Sequence, residues 1–180
     1  DATDDPVHGT QEGRFFHGYY GHYCFLPFYV FCEEHLLLAR LRPSNIDASA
    51  GTVEELTPLI GQIWERWPRT QIVLRADSGF AREEIMAWCE ANGIDFVFGL
   101  AKNARLIRRI ARESKRARRR FGRTGRAARF FRDFSYRTLN SWSRSRRVVG
   151  KAEHLEKGSN PRFVVTSLKN VPPDTEFARA

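Results

Sequence analysis

Residues 71–100 read QIVLRADSGFAREEIMAWCEANGIDFVFGL, and this stretch decides the fold class. It opens with a short apolar run at 71–75, which predicts a buried strand that ends in an Asp-Ser-Gly turn. Residues 82–92 predict a helix that stops at Gly93, the residue type that most often follows a helix. Residues 95–98 predict a second strand, so the order is that of a parallel βαβ unit.

The segments on either side extend this pattern. Upstream, residues 20–31 and 35–41 predict two strands of a hairpin, and Thr52 begins a helix whose capping box it forms with Glu55. Downstream, residues 103–120 predict one further helix. Three β-like runs follow, at residues 129–138, 146–153 and 162–168. This order predicts an α/β, ribonuclease H-like mixed sheet flanked by helices, with a β-rich insertion.

Length and composition agree with a folded chain. With 180 residues, 42% of them hydrophobic, the chain is long enough for one domain plus an insertion and is not disordered. We expect residues 1–125 to form the ribonuclease H-like core and residues 126–180 the β-rich insertion. The absence of an initiator Met leads us to expect a fragment truncated at both ends, with the first strand mostly upstream. No apolar run reaches the roughly 18 residues of a membrane span.

The positive charge is concentrated in one segment. The chain carries a net charge of +9, yet residues 102–147 contain 18 Lys and Arg against two acidic residues, so the rest is net negative. A basic segment on an acidic body favours a polyanionic partner, most often a nucleic acid. The alternative is a solvated basic surface without a partner.

Two groups of acidic residues are candidates for metal chemistry. Asp77 follows a predicted strand, and in α/β sheets ligands bind beyond the carboxyl ends of strands. The alternative for Asp77 is a cap on the next helix. The acidic cluster at residues 1–5 is a second candidate, or else a solvated terminus. The sequence lacks the motifs typical of zinc, dinucleotide, nucleoside triphosphate and serine-hydrolase sites.

Three blocks of sequence resemble a known family. They are DATDDPVHGTQ at residues 1–11, HGYYGHY at 17–23 and VLRADSGF at 73–80. In this order and spacing they resemble the DDE insertion-sequence transposases, in particular the bacterial cut-and-paste group with a β insertion inside a ribonuclease H-like catalytic domain. The resemblance extends over nearly the whole chain.

The resemblance implies a two-metal active site. Asp1 is then the first catalytic carboxylate and Asp77 the second, and both bind Mg²⁺ or Mn²⁺, ions that prefer oxygen ligands. The third acid of the family is a glutamate on a helix after the β insertion, in a motif Y-x-x-R-x-x-x-E. No Tyr of this chain starts such a motif, and Glu176 lies in a predicted loop. We therefore expect residues 1–180 alone neither to cut nor to join DNA.

The resemblance also implies double-stranded DNA as partner, both transposon ends and target. It further implies a homodimer assembled on DNA, no membrane association, and a bacterial cytoplasmic, nucleoid-associated location. Trp142 is a candidate for stacking on a flipped base, with a core position as the alternative. The remaining candidate DNA contacts are Arg105, Arg108, Arg109, Arg112, Arg116, Arg119, Arg120, Arg144 and Arg146.

Two other functions stay open at this point. A structure-specific nuclease of the same fold would cut DNA without joining strands. A non-enzymatic basic module would bind nucleic acid, and its acidic residues would then be structural only.

Overall fold

A computed structural model describes residues 2–169, 171–172 and 174–175. The chain divides into two compact units, Asp1–Thr70 and Gln71–Ala180. Within the described residues, none of the helices combines the length and apolar character that crossing a membrane requires. The architecture is mixed α/β, with helices around a mixed sheet, so the predicted fold class is confirmed and is compatible with a ribonuclease H-like fold.

The first unit contains two small antiparallel sheets and one helix. Strands β1, β3 and β2 form one sheet in that order, and β4 pairs with β5 in a hairpin. The stretch predicted as one strand at residues 20–31, with an irregularity at Pro27, forms two strands, because the chain leaves the sheet at Leu26 and Pro27, and proline has no N–H to donate. The elements are β1 (Asp5–Pro6), β2 (Phe15–His17), β3 (His22–Phe25), β4 (Phe28–Cys32), β5 (His35–Arg40) and α1 (Thr52–Arg66).

Helix α1 begins at the predicted residue, but without the predicted capping box. Its N-cap is Gly51, in the left-handed region at φ 73°, and no side chain caps the helix. The Thr52 hydroxyl donates to the Ser49 carbonyl at 2.6 Å. Glu55 instead accepts from Arg40 Nε at 2.7 Å, so a contact to the preceding strand replaces the local one.

The second unit is built on the mixed sheet. Strand β6 pairs in parallel with β7, β11 pairs antiparallel with both β7 and β9, and β8 and β10 pair with β9. The elements are β6 (Val73–Ala76), a 3₁₀ turn (Ser78–Phe80), α2 (Glu83–Ala91), β7 (Asp95–Gly99), α3 (Ala104–Arg109), α4 (Ala111–Thr124), β8 (Ala128–Tyr136), β9 (Arg146–Leu155), β10 (Gly158–Ser159) and β11 (Arg162–Thr166). The predicted βαβ unit and the three downstream strands are confirmed.

The core of this unit lies along its central strands. Val97, Val149 and Val164, on β7, β9 and β11, pack together with at most 2% exposure. Strand β6 lies at the edge of the sheet with alternate residues exposed, so the prediction of a buried strand is wrong there. The predicted division at residue 125 stays a prediction for the whole protein; here the strands that follow it belong to the same sheet as β6 and β7.

The predicted helix at residues 103–120 is two helices. It breaks at Ile110, whose side chain is fully buried and whose backbone leaves helical geometry at ψ 17°. A Cβ on Gly150 of β9 would lie 2.6 Å from Ile110 Cγ2. The Ile110 side chain therefore fits against the sheet only because residue 150 is a glycine. After the break, α4 continues to Thr124, and Gly125 ends it at φ 63°.

Candidate active site

Asp77 lies directly after strand β6, with an exposed side chain at the carboxyl edge of the sheet. Its Oδ1 accepts a hydrogen bond from the Gly79 backbone N–H at 2.7 Å and so caps the 3₁₀ turn. The capping role that the sequence left open is therefore present. It does not compete with a role at the edge, because the carboxylate is still exposed where ligands bind in α/β sheets.

Gly99 determines how closely the neighbouring strand approaches the Asp77 turn. It ends β7, and a Cβ added there would lie 2.9 Å from the Ser78 nitrogen and 3.2 Å from the Asp77 carbonyl carbon. Side chains essentially never pack that close to backbone, so only glycine allows β7 to end against the turn. Gly99 carries no signal in the sequence, since a glycine after a predicted strand resembles an ordinary turn residue.

The end of the turn that leads into α2 is held in place as well. The ring of Phe80 is 3% exposed and fixes the end of the turn in the core. Arg82 Nε donates to the Gly79 carbonyl at 3.0 Å, and the Arg82 backbone N–H donates to the Phe80 carbonyl at 2.7 Å. The position of Asp77 is therefore set by backbone contacts on both sides.

The other predicted acids are placed only in part. Asp1 and Glu176 lie outside the described residues. Asp4 pairs with His22, with 2.9 Å between Oδ2 and Nε2, and Asp5 lies in β1. Within the described residues, no group of three or more His, Cys, Asp or Glu side chains could hold a metal ion. The Asp77 carboxylate suits a hard cation such as Mg²⁺, so the described part supplies one ligand of the expected set.

The basic side chains of α3 line an open concavity of about 410 Å³, which we call the α3 pocket. Arg109 Nη2 donates to the Ser135 carbonyl at 3.0 Å, and the Arg105 guanidinium lies 5.2 Å from the centre of the Tyr136 ring. Among the residues described around the pocket, none is acidic. They are Arg105, Arg108, Arg109, Ser135, Tyr136, Arg137 and Ser145.

A second basic concavity, of about 540 Å³, lies along α4, and we call it the α4 surface. Its lining residues are Arg116, Arg119, Arg120, Arg123 and Phe130. The Arg116 guanidinium lies over the Phe130 ring, 4.4 Å from its centre, and Arg112 is exposed one turn earlier. Seven of the nine predicted arginines thus lie in or beside these two concavities, leaving Arg144 and Arg146.

Trp142 and Arg146 are buried, and this corrects their placement among exposed DNA contacts. Trp142 is 3% exposed and packs edge-on against Tyr136, which favours the core position that the sequence left open. Arg146 is 5% exposed, and its guanidinium donates to the carboxylates of Glu83 and Glu90. A guanidinium already held by two carboxylates has no free edge for a phosphate. Arg144 is exposed but forms an ion pair with Glu90.

The electrostatics of this cluster follow from its hydrogen bonds. The bonds from Arg146 lower the pKa of Glu83 from its ordinary 4.5 to about 2, with a further contribution from the Ser143 hydroxyl. Burial alone would lower the pKa of Arg146, but the two glutamates raise it. All three groups are therefore charged at neutral pH.

The comparisons with known proteins agree with this geometry. The model of the family described as transposase DDE domain group 1 matches residues 1–179, almost the entire chain. No curated protein matches the chain with significance. The block VLRADSGF, which carries Asp77, lies within the matched range.

Proposed function

Because the chain belongs to the DDE transposase family, we propose that it is the catalytic domain of a DNA transposase, in which Asp1 and Asp77 each supply a carboxylate ligand for divalent metal ions. The observation that carries the proposal is the exposed Asp77 carboxylate at the carboxyl end of β6, which accepts the Gly79 N–H while the end of β7 lies against the backbone of Asp77 and Ser78. The reaction is cleavage of phosphodiester bonds at transposon ends, followed by strand transfer to a target.

Residues of the chain itself hold the Asp77 carboxylate in one orientation. When bound, Mg²⁺ or Mn²⁺ supplies the positive charge that activates the attacking oxygen and stabilises the leaving oxygen of an in-line displacement. The Gly79 N–H holds one oxygen of Asp77, so the carboxylate keeps one direction before any ligand arrives. Pre-orientation matters, because a displaced catalytic group can cost about a hundredfold in rate.

The DNA partner is supported by the two basic concavities. The α3 pocket presents four arginines and the α4 surface another four, and planar guanidinium groups suit bidentate phosphate contacts. We propose that both bind phosphates of double-stranded DNA, transposon end or target, in a homodimer assembled on the DNA in the bacterial cytoplasm. Trp142 and Arg146 are left out of this surface, because both are buried.

Manganese titration tests the site assignment. Mn²⁺ broadens NMR signals of nuclei close to it, so adding it to ¹⁵N-labelled protein should broaden the amides of residues 77–79 and of Gly99 first. Asp77→Asn should remove this broadening while leaving the rest of the spectrum unchanged. Broadening centred on residues 153–156, with none near Asp77, would contradict the assignment.

Strand joining separates the proposed function from the nuclease alternative. A transposase both cuts the transposon end and joins its 3′-hydroxyl to a target, whereas a nuclease only cuts. We also propose that residues 1–180 alone are inactive, because no Tyr of this sequence starts the motif Y-x-x-R-x-x-x-E that carries the third acid of the family. Robust nicking by residues 1–180 that survives Asp77→Asn would refute both the inactivity and the site.

A further inference from the structure

A buried ion-pair cluster joins helix α2 to strand β9. Arg146, the first residue of β9, donates through Nη1 and Nη2 to the two carboxylate oxygens of Glu83 at 2.7 and 3.1 Å. Through Nε and Nη2 it also donates to the two oxygens of Glu90, both at 2.9 Å. The two glutamates lie at opposite ends of α2, so a single guanidinium fixes the helix along its length.

The connection between β8 and β9 completes this cluster. The Ser143 hydroxyl donates to Glu83, and Arg144 forms an ion pair with Glu90. The Trp142 ring covers the Arg146 guanidinium at 5.7 Å. Two side chains of the connection therefore reach the same two carboxylates as Arg146, and water has little access to the Arg146 guanidinium.

The cluster acts on the residues directly before α2. Glu83 is the first residue of the helix, and the residue before it, Arg82, holds the Asp77 turn through its bond to the Gly79 carbonyl at 3.0 Å. A shift of Glu83 would carry Arg82 with it and release Gly79. The Gly79 N–H is the donor that orients Asp77. A continuous set of contacts thus leads from Arg146 to Asp77.

Stability alone is a weak reason for such a cluster. Removing charges from water is costly, and replacing a buried ion pair with apolar side chains is often neutral or stabilising, whereas a fixed geometry is what a buried pair provides. We propose that Arg146 is a positioning residue for Asp77: by holding Glu83 and Glu90 it fixes the start of α2, and with it the turn that presents the carboxylate. The inference rests on the proposed function, in which Asp77 is a metal ligand.

Backbone dynamics test the positioning step without reference to activity. In the native protein the amides of Ser78 and Gly79 should have ¹⁵N order parameters near the rigid value of about 0.85, and in Glu83→Gln they should fall toward about 0.6. Glu83→Gln leaves the Arg146–Glu90 pair intact and is therefore the variant that keeps the fold. Arg147→Lys is the matched control, because Arg147 is the next residue of β9 and pairs with Asp133 instead.

Kinetics of the intact transposase provide the second measurement. Glu83→Gln should lower kcat for cleavage at least tenfold and leave the KM for DNA unchanged, while Arg147→Lys changes neither. Order parameters of the turn that stay at their native values in Glu83→Gln would overturn the proposal. A uniform loss of order that includes the β7 amides would also overturn it, since the cluster would then be structural only.

The two proposals fail separately. If Mn²⁺ does not broaden the amides around Asp77 in the native protein, the metal assignment fails, whatever Glu83→Gln does to the turn. If Mn²⁺ broadens those amides to the same extent in native protein and in Glu83→Gln, and the turn stays ordered in both, the metal assignment stands and the positioning role of Arg146 is refuted.

Discussion

The Asp77 turn and the α4 surface belong to the same unit of the chain but are built in opposite ways. The turn is held by contacts that each occur once and differ in kind, among them the N–H bond from Gly79 and the close approach of Gly99. The α4 surface consists of several similar, exposed arginines along one helix. We therefore expect one substitution to abolish the role of the turn, whereas DNA binding by the α4 surface should weaken in increments as arginines are replaced.

Among the substitutions that test this difference between the turn and the α4 surface, Gly99→Ala should have the largest effect. The new Cβ would meet Ser78 and Asp77 backbone atoms at 2.9 and 3.2 Å, so the turn must shift. We expect DNA cleavage by the full-length protein to fall about a hundredfold, in line with the cost of a misplaced catalytic group. Steady-state kinetics on a transposon-end duplex measure the effect.

Gly122→Ala is the matched control for that variant. Gly122 lies within α4, and a Cβ there meets nothing within 4 Å. Alanine is the better helix former by about 1 kcal/mol, so this variant should keep its activity and gain slightly in stability. Equal activity of the two variants would show that the approach of β7 to the turn has no catalytic importance.

A variant of helix α4 with four arginines replaced should bind DNA more weakly, in a salt-dependent manner. It carries Gln in place of Arg116, Arg118, Arg119 and Arg120. Each lost phosphate contact lowers the magnitude of the slope of log K against log salt by about 0.9. We expect the slope to become less steep by about 2 to 4, measured by fluorescence anisotropy between about 50 and 200 mM salt. Each single replacement should give about a quarter of that change. An unchanged slope would mean that α4 is only a solvated face.

The ion-pair cluster predicts a change of stability with pH. The pKa of Glu83 in the folded protein is about 2 against its ordinary 4.5. A lowered pKa means that the contribution is complete above about pH 4.5 and is lost as the pH falls toward 2. We expect the native chain to lose about 2 to 3 kcal/mol more stability than Glu83→Gln between pH 6 and pH 2.5. Urea unfolding at the two pH values measures this, and equal losses would contradict the assignment.

The smallest expected effect concerns DNA binding by Trp142. A buried ring that packs on Tyr136 and Arg146 is not available to a base. Trp142→Phe should therefore change DNA affinity less than about twofold, whereas a stacking residue contributes roughly 1–3 kcal/mol per base. A loss of DNA affinity of tenfold or more in an anisotropy titration would show that Trp142 contacts DNA.

The sequence predicts the place of Asp77 at the end of a strand because the residues that determine it are close to it in the chain. An apolar run, a turn and a helix that ends at Gly93 give the βαβ order, and this order places Asp77 at the carboxyl edge. Even so, β6 is an exposed edge strand, because its position in the sheet depends on β11, which follows much later in the chain.

The features that could not be predicted from the sequence depend on contacts between residues that are far apart in the chain. Arg146 resembles its neighbours in a basic run, and only the fold brings it to Glu83 and Glu90, more than fifty residues earlier. Gly99 becomes special only when the Asp77 turn lies against it, and the break at Ile110 follows from packing over Gly150. Tertiary contacts therefore decide which arginines of the basic segment are exposed.

The most direct test is Mg²⁺-dependent nicking and strand transfer by the full-length protein, with native Asp77 and with Asp77→Asn. Asparagine keeps the size of the side chain and an oxygen that can accept from Gly79, but it removes the negative charge that a divalent ion requires. If Asp77 is a metal ligand, we expect the native protein to nick and join transposon-end DNA, and Asp77→Asn to bind the same DNA with unchanged affinity but to do neither. Nicking at the native rate by Asp77→Asn would contradict the assignment of Asp77 as a metal ligand.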